Sequence, residues 1–415
     1  LLRQLCAKLR PKVVGFTALT AHIYNAHKAA TQVKDVDSSV VTVVGGIHVS
    51  AVPKDTLRRF PMFDYGVVGE GEETFLELVN ALERDEELEE IPGLFYRKDG
   101  QVIYTGERRF IKDIDELPFN WELINPKSYF RRRGRNSENI IKYSHKTLSI
   151  ITSRGCPFGC IFCHNIFGRK FRARSPDKVV EEVAYLKNTY GVEELEIIDD
   201  SFNLDLERAK EICRGIISLK LNLHLALPNG IRGDIVDEEF LDLLKKAGFY
   251  RIAFAVESAS PRIQKLIKKR IDLDKIKWAI EETAKRGMIA TGYFIMGFPE
   301  ETEEDIKMTI EFACRSKLNV ASFFYLNPFP GTEVAKMVGE KMLVNKLFRD
   351  YSTMTVNLSK VSDEVLHRLN KQAYRRFYLN PERIWRTIKV VPKNMRTLIN
   401  AFLVFQLFFR DSVNQ

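Results

Sequence analysis

Cys156, Cys160 and Cys163 lie in RGCPFGCIFCHN (154–165), half of the chain's six cysteines within eight residues, spaced C-x3-C-x2-C. Three thiols this close point to a metal. The segment Cys160–His164 matches C-x2-C-H, the pattern of covalent haem attachment. That chemistry needs oxidative export, leaves Cys156 idle, and finds no signal peptide in this sequence. Zinc would take the three thiolates with His164 as a fourth ligand. Structural zinc sites usually draw on two separated ligand pairs, however, and His164 adjoins Cys163, which makes a tetrahedron awkward to close. An iron–sulfur cube fits better, because three cysteines hold three irons and leave the fourth for a non-protein ligand. Gly155 and Gly159 let the backbone curl around such a cube, and Pro157 stiffens it.

The elements around this loop read as α/β. Strands are expected at 147–153, 194–199, 222–227, 250–256, 291–297 and 321–326, with helices at 176–190, 205–219, 237–247, 274–286 and 302–316. Six such units imply an incomplete parallel barrel, a partial (β/α)6 arrangement with its chemistry at the strand carboxyl ends. The cysteine loop follows the first of these strands. Ahead of the barrel, PKVVGFTALT, VVTVVGG (40–46) and DYGVVGEGE (64–72) alternate with helical segments, as in a doubly wound, Rossmann-like parallel sheet. Ligands of such sheets sit at the strand carboxyl ends, where Thr17, Thr20, Gly45, Gly46, His48, Gly69 and Glu70 fall. The expected organisation is a sheet domain over 1–90, a connector over 91–146 with a hairpin turning at Asp99-Gly100, the barrel over 147–335, and a mainly helical region over 336–415. The run RRRGRNSEN (131–139) is expected to be an exposed loop. The apolar run LINAFLVFQLFF (398–409) is shorter than the ~20 residues a spanning helix needs.

Composition sets limits on these readings. A chain of 415 residues, 45% hydrophobic and 29% charged, is ordinary for a soluble globular protein of two or three domains. Cys6, Cys213 and Cys314 are scattered, the last two in helix-like segments where a small buried thiol is the plain reading. No disulfide framework is visible, so a cytoplasmic setting is expected. The chain starts at Leu1, and residues 1–10 read as part of an amphipathic helix, so a truncated N-terminus is expected. Residues 371–415 hold nine Lys and Arg against two Asp and Glu, a net +7 of the chain's +9. The remainder is near neutral, which argues against a nucleic-acid partner.

The three cysteines after the first strand of a six-unit barrel resemble the motif of the radical S-adenosylmethionine (SAM) enzymes. Later segments extend the resemblance. Asp199-Asp200-Ser201-Phe202 resembles the family segment that meets the SAM amino group, and a carboxylate suits an ammonium. Asn229–Arg232 would bring a cation to the methionine carboxylate. Val256-Glu257-Ser258 resembles the ribose-contacting segment, and Gly292–Glu301 the segment near adenine, where Gly297 permits close approach. NPFPGT (327–332) completes the series. The resemblance thus implies Cys156, Cys160 and Cys163 as cluster ligands and Phe162, Asp200, Arg232, Glu257, Ser258 and Gly297 as SAM contacts. The competing readings are structural: a helix-capping acid pair, a surface arginine and a buried Glu. The N-terminal series resembles the cobalamin-binding subgroup, which implies cobalamin across Thr17, Thr20, Gly45, Gly46, His48, Gly69 and Glu70. The D-x-H-x-x-G motif that ligates cobalt in many such domains is absent from this sequence.

The resemblance implies reductive cleavage of SAM to a 5′-deoxyadenosyl radical and cobalamin-dependent methyl transfer to an unactivated carbon. The alternative within the class is rearrangement, cyclisation or oxygenation of a lipid- or tetrapyrrole-like substrate. Outside it, the alternatives are an electron-transfer iron–sulfur protein and a basic binding module. Expected partners are a small-molecule or lipid-like substrate, an external donor of the flavodoxin or ferredoxin type, and a membrane surface touched by the C-terminal tail.

Overall fold

The computed structural model describes residues 1–130, 141–339 and 353–393. The expectations for RRRGRNSEN and for LINAFLVFQLFF fall outside the described residues. The chain forms two compact units. One combines Leu1–Lys112, Gly155–Lys170 and Leu326–Val356, and the other combines Asp113–Arg154, Phe171–Tyr325 and Asn357–Gln415.

The first unit is built on a five-stranded sheet in the order β1 (Val13–Thr17), β2 (Val41–Gly45), β3 (Tyr65–Val67), β4 (Leu94–Lys98), β5 (Gln101–Tyr104). The first three strands are parallel, with Val13 beside Val41 and Val43 beside Tyr65. The hairpin β4–β5, turning at Asp99-Gly100 as the sequence implies, adds to this sheet antiparallel through β3, so the sheet is mixed. Helices α1 (Leu2–Leu9), α2 (Ile23–Val36), α3 (Ile47–Ala51), α4 (Pro53–Arg59) and α5 (Glu72–Arg84) complete it. Alternation along β2 assigns the helices to faces. Val44 packs with Ile23 and Ala30 of α2, Val49 of α3 and Leu57 of α4. Its neighbour Val43 packs on the other face, with Leu78 and Ala81 of α5.

The second unit holds a six-stranded, all-parallel sheet. In chain order its strands are β6 (Thr147–Ile150), β9 (Glu194–Ile197), β10 (His224–Ile231), β11 (Phe249–Glu257), β12 (Ile289–Met296) and β13 (Val320–Tyr325). A ribbon of β7 (Ser153–Arg154) and β8 (Arg172–Ala173) pairs antiparallel. The crossovers are α6 (Pro176–Tyr190), α7 (Leu206–Leu219), α8 (Glu238–Ala247), α9 (Pro261–Leu266) with α10 (Leu273–Lys285), and α11 (Glu303–Arg315). Side-chain caps start them: Ser175 for α6, Asp205 for α7, Asp237 for α8, Asp272 for α10, and a Thr302–Asp305 capping box for α11.

The sheet stays open between β6 and β13, so it is a partial barrel. Helix Asp363–Tyr378 covers the β13 edge with phenols. Tyr378 accepts from the Ala321 N–H (3.1 Å) and donates to the Ala321 carbonyl (2.8 Å), and Tyr374 accepts from the Phe323 N–H (3.0 Å). The exposed backbone groups that invite edge pairing are thereby satisfied. No described helix is long and apolar enough to cross a membrane.

Candidate functional site

In the first unit, the cysteine loop closes on itself. Gly155 sits at φ 84°, and a Cβ there would lie 2.4 Å from the Lys170 carbonyl oxygen, so only glycine fits. The Cys156 N–H donates to the Gly168 carbonyl (3.3 Å), the Cys163 N–H donates to Cys160 (3.2 Å), and Arg169 donates to the Phe158 carbonyl (2.7 Å). Cys156, Cys160 and Phe162 are half-buried and Cys163 is exposed. Among the described residues no three His, Cys, Asp or Glu side chains converge as ligands of one ion would. A cube that takes one thiolate per iron spaces its cysteines more widely than a single ion does. Three soft donors on a glycine-cradled loop fit an iron–sulfur cluster.

The same unit gathers the carboxyl ends of β1, β2 and β3. The Ala18 N–H donates to Gly45 (3.0 Å) and the His48 N–H to Ala18 (3.1 Å), while the Ser50 hydroxyl accepts from the Gly69 N–H (3.0 Å). Gly46, at φ 97°, has no room for a Cβ, which would stand 2.8 Å from Thr17 Oγ1. His48 is buried, with Nδ1 3.3 Å from Thr20 Oγ1 and no partner at Nε2 among the described residues. Burial, with Arg59 and His164 nearby, takes its imidazole down to about 4. Glu70 is buried and accepts from the Ile111 N–H (2.8 Å). All seven sheet residues named from the sequence thus lie at or beside one end of this sheet, a polar rim suited to a large polar cofactor.

Three chain segments meet in this unit. The position of a Gly331 Cβ lies 2.8 Å from Ala51 Cβ, at the end of α3, and 4.0 Å from His164 Nδ1. The His164 ring is 6.1 Å from that of Phe329, and the Val334 N–H donates to the Ile161 carbonyl (3.0 Å). His164, a weak ligand candidate from sequence, sits against NPFPGT. Burial lowers its pKa.

Of the residues matched to SAM contacts, Phe162 belongs to the first unit; the other five lie in the second, at the carboxyl end of the parallel sheet, but their surroundings differ. Asp199 is buried and accepts from the Thr152 N–H and the Thr152 and Ser153 hydroxyls, each at 2.6 Å. Burial still pushes its carboxyl above the usual range. Asp200 beside it is exposed. The acid pair is therefore divided into one member that ties β6 to β9 and one that faces outward. Arg232 donates to both carboxylate oxygens of Asp234 and to the Lys269 carbonyl. Lys269 in turn pairs with Glu257 at 2.9 Å. Glu257 itself is in the left-handed region at φ 64°, beside a register shift in β11. Buried Ser258 lies 3.3 Å from the Thr309 hydroxyl.

The N–H groups of Gly297 and Phe298 donate to Glu301 Oε2 at 2.6 and 3.1 Å. Glu301 is fully buried, its Oε1 has no partner among the described residues, and burial pushes its carboxyl up to about 8. Two of these residues were missed from sequence. Glu301 had a signal, the Gly-x3-Glu spacing after β12. Lys269 had none, because the run Lys268-Lys269-Arg270 looks like solvated surface.

Comparison with known proteins fits this arrangement. Residues 150–313 match the radical SAM superfamily model, and residues 2–79 match the B12 binding domain model. An uncharacterised methyltransferase of Pyrococcus horikoshii is 34% identical over 90% of this chain and 80% of its own length. The chain belongs to the radical SAM superfamily. It is a radical SAM enzyme with a B12-binding domain, and its cofactors are a 4Fe–4S cluster, SAM and cobalamin. An anaerobic magnesium-protoporphyrin IX monomethyl ester cyclase of Rubrivivax gelatinosus is 28% identical over 91% of this radical SAM chain and 68% of its own. In fold, the chain is similar to the radical SAM methyltransferase TsrM of Kitasatospora setae, solved with cobalamin and a [4Fe–4S] cluster. The TM-score is 0.68 at 20% identity, over 91% of this chain and 76% of that one.

Proposed function

We propose that this radical SAM enzyme methylates an unactivated carbon of a small-molecule or lipid-like substrate, with cobalamin as the methyl carrier. The observation that carries the reading is the make-up of the first unit. The three-cysteine loop folds with the B12-type sheet, through Gly331, Ala51 and His164, as one body. A methyl carrier and a cluster held by one unit would keep a fixed separation, so a substrate activated beside the cluster-bound SAM would stand at a set distance from the methyl carrier.

When bound, the cluster and SAM supply one-electron cleavage chemistry and cobalamin supplies a transferable methyl group. The chain's own residues hold and orient. Cys156, Cys160 and Cys163 ligate three irons. Asp200, the outward member of its pair, accepts from the SAM ammonium. Arg232, oriented by Asp234, meets the methionine carboxylate, and Glu257, held by Lys269, receives the ribose. Ser258 stands beside Glu257 in the ribose segment, the Gly297 turn, clamped by Glu301, forms the wall against adenine, and Phe162 packs beside the cluster. Thr17, Thr20, Gly45, Gly46, His48, Gly69 and Glu70 form the cobalamin rim. Reducing power comes from an external donor of the flavodoxin or ferredoxin class in the cytoplasm.

Anaerobic reconstitution with iron, sulfide, cobalamin, SAM and a reductant tests the reading. Formation of 5′-deoxyadenosine is the expected result, together with a product heavier by one methyl group when candidate substrates are screened by mass spectrometry. A product that has lost hydrogen and gained a ring would favour cyclisation, the chemistry in the name of the 28% identical relative. Absence of SAM cleavage from a fully loaded cluster would overturn the proposal.

A further inference from the structure

The helix Pro381–Val390 carries an apolar face. Ile384, Trp385 and Ile388 are 45%, 62% and 53% exposed, and their i, i+1, i+4 spacing puts them on one side. The other side is firmly anchored. Arg383 is buried and donates to the carbonyls of Ala313, Cys314, Ser316, Leu318 and Phe377, and its guanidinium lies 3.7 Å over the Phe377 ring. Arg386 donates to Leu318 (3.0 Å). The apolar face is thus held outward by its anchors, and fraying does not explain its exposure.

The surroundings of the face are basic. The Lys389 ammonium stands 5.1 Å over the Trp385 ring, and Lys393 is exposed just beyond the helix. Residues 371–415 hold a net +7, and the sequence beyond the helix repeats the scheme, with LINAFLVFQLFF between Arg396 and Arg410. A tryptophan and two aliphatic side chains on one face, flanked by lysines, have the composition of an interfacial helix. Anionic lipid attracts such clusters.

We propose that this helix docks the enzyme on an anionic lipid bilayer. The helix lies in the headgroup plane with Ile384, Trp385 and Ile388 at the acyl boundary and Lys389 and Lys393 on lipid phosphates. A symmetric contact with a second copy is disfavoured on two grounds. It would press two strongly basic segments together, and one short helix face falls well below the roughly 800 Å² per partner of a stable interface.

Flotation of the full chain with vesicles tests this. The expected result is co-flotation with phosphatidylcholine–phosphatidylglycerol vesicles, little with phosphatidylcholine alone, and a decline with added salt. The variant I384S/W385S/I388S should lower the bound fraction at least tenfold with its thermal melt unchanged, and K389E/K393E should lower it severalfold. Equal flotation on neutral and anionic vesicles would overturn the proposal. So would a triple variant that floats like the parent, because binding would then belong to another segment. A concentration-dependent dimer lost in the triple variant, without flotation, would assign the face to a second copy instead.

Discussion

At the scale of single residues, the cysteine loop depends on three thiols and on Gly155, where only glycine fits. The three thiols were legible as a donor set because their types and spacing fall within eight residues of sequence. Replacing Cys156, Cys160 or Cys163 by Ala is expected to reduce iron content and abolish 5′-deoxyadenosine formation while the far-ultraviolet circular dichroism is kept. Gly155→Ala should act similarly through the backbone. Its left-handed φ costs a non-glycine residue about 1–3 kcal/mol, and the added methyl meets the Lys170 carbonyl. Reconstituted iron per chain should fall severalfold. The acid pair Asp199-Asp200 could not be resolved from sequence, because which member turns inward depends on Thr152 and Ser153, far away in the chain. Glu301 yields a pH prediction. Its folded pKa of about 8 lies above the ordinary 4.5, so the folded state holds this proton more tightly than the unfolded chain does. The stabilisation is complete below about 4.5 and is lost as pH rises toward 8, at about 1.4 kcal/mol per unit. Glu301→Gln keeps an oxygen for the Gly297 and Phe298 N–H groups and removes the titration. Its apo-protein should melt progressively higher relative to the parent between pH 5 and 8; parallel pH profiles would contradict this.

At the scale of elements, the barrel was readable almost strand by strand, because each βα unit pairs a β-branched run with a capped amphipathic helix. Asp205 and Thr302 were visible as helix starts, and Ser175 caps α6 one residue ahead of the expected Pro176. Less was legible where pairing is long-range. Nothing local announces that the hairpin β4–β5 extends the first sheet, or that tyrosines on a helix after residue 360 bond the β13 edge. Tyr378→Phe removes both a donor and an acceptor from the buried Ala321 peptide groups. A loss of about 1–3 kcal/mol is expected, read as a lower urea midpoint with unchanged slope. A midpoint equal to the parent's would mean that water replaces the phenol at this edge.

At the scale of the whole molecule, the sequence divides by chain order, whereas the structure divides by packing. From sequence, the cysteine loop reads as part of the barrel, and the superfamily match over 150–313 contains it. By packing, Gly155–Lys170 belongs with Leu1–Lys112 and Leu326–Val356. The reason lies in contacts that no local pattern encodes: Gly168 against the Phe110 ring, Gly331 against Ala51 and His164, and the Ile161 carbonyl to the Val334 N–H. A loop of this kind, built of turns with no helix or long strand of its own, draws its order from the surfaces it packs on. A chain beginning at Asp113 keeps all three cysteines and every barrel strand, yet it loses Phe110 and Ala51. It should therefore fold its sheet but reconstitute far less iron per chain than the full protein, with the deficit seen in both iron assay and cluster absorbance. A deleted chain that binds iron to the full extent would show that the barrel alone orders the loop. The packing of that loop on the B12-type sheet would then serve only to set the distance between the two cofactors.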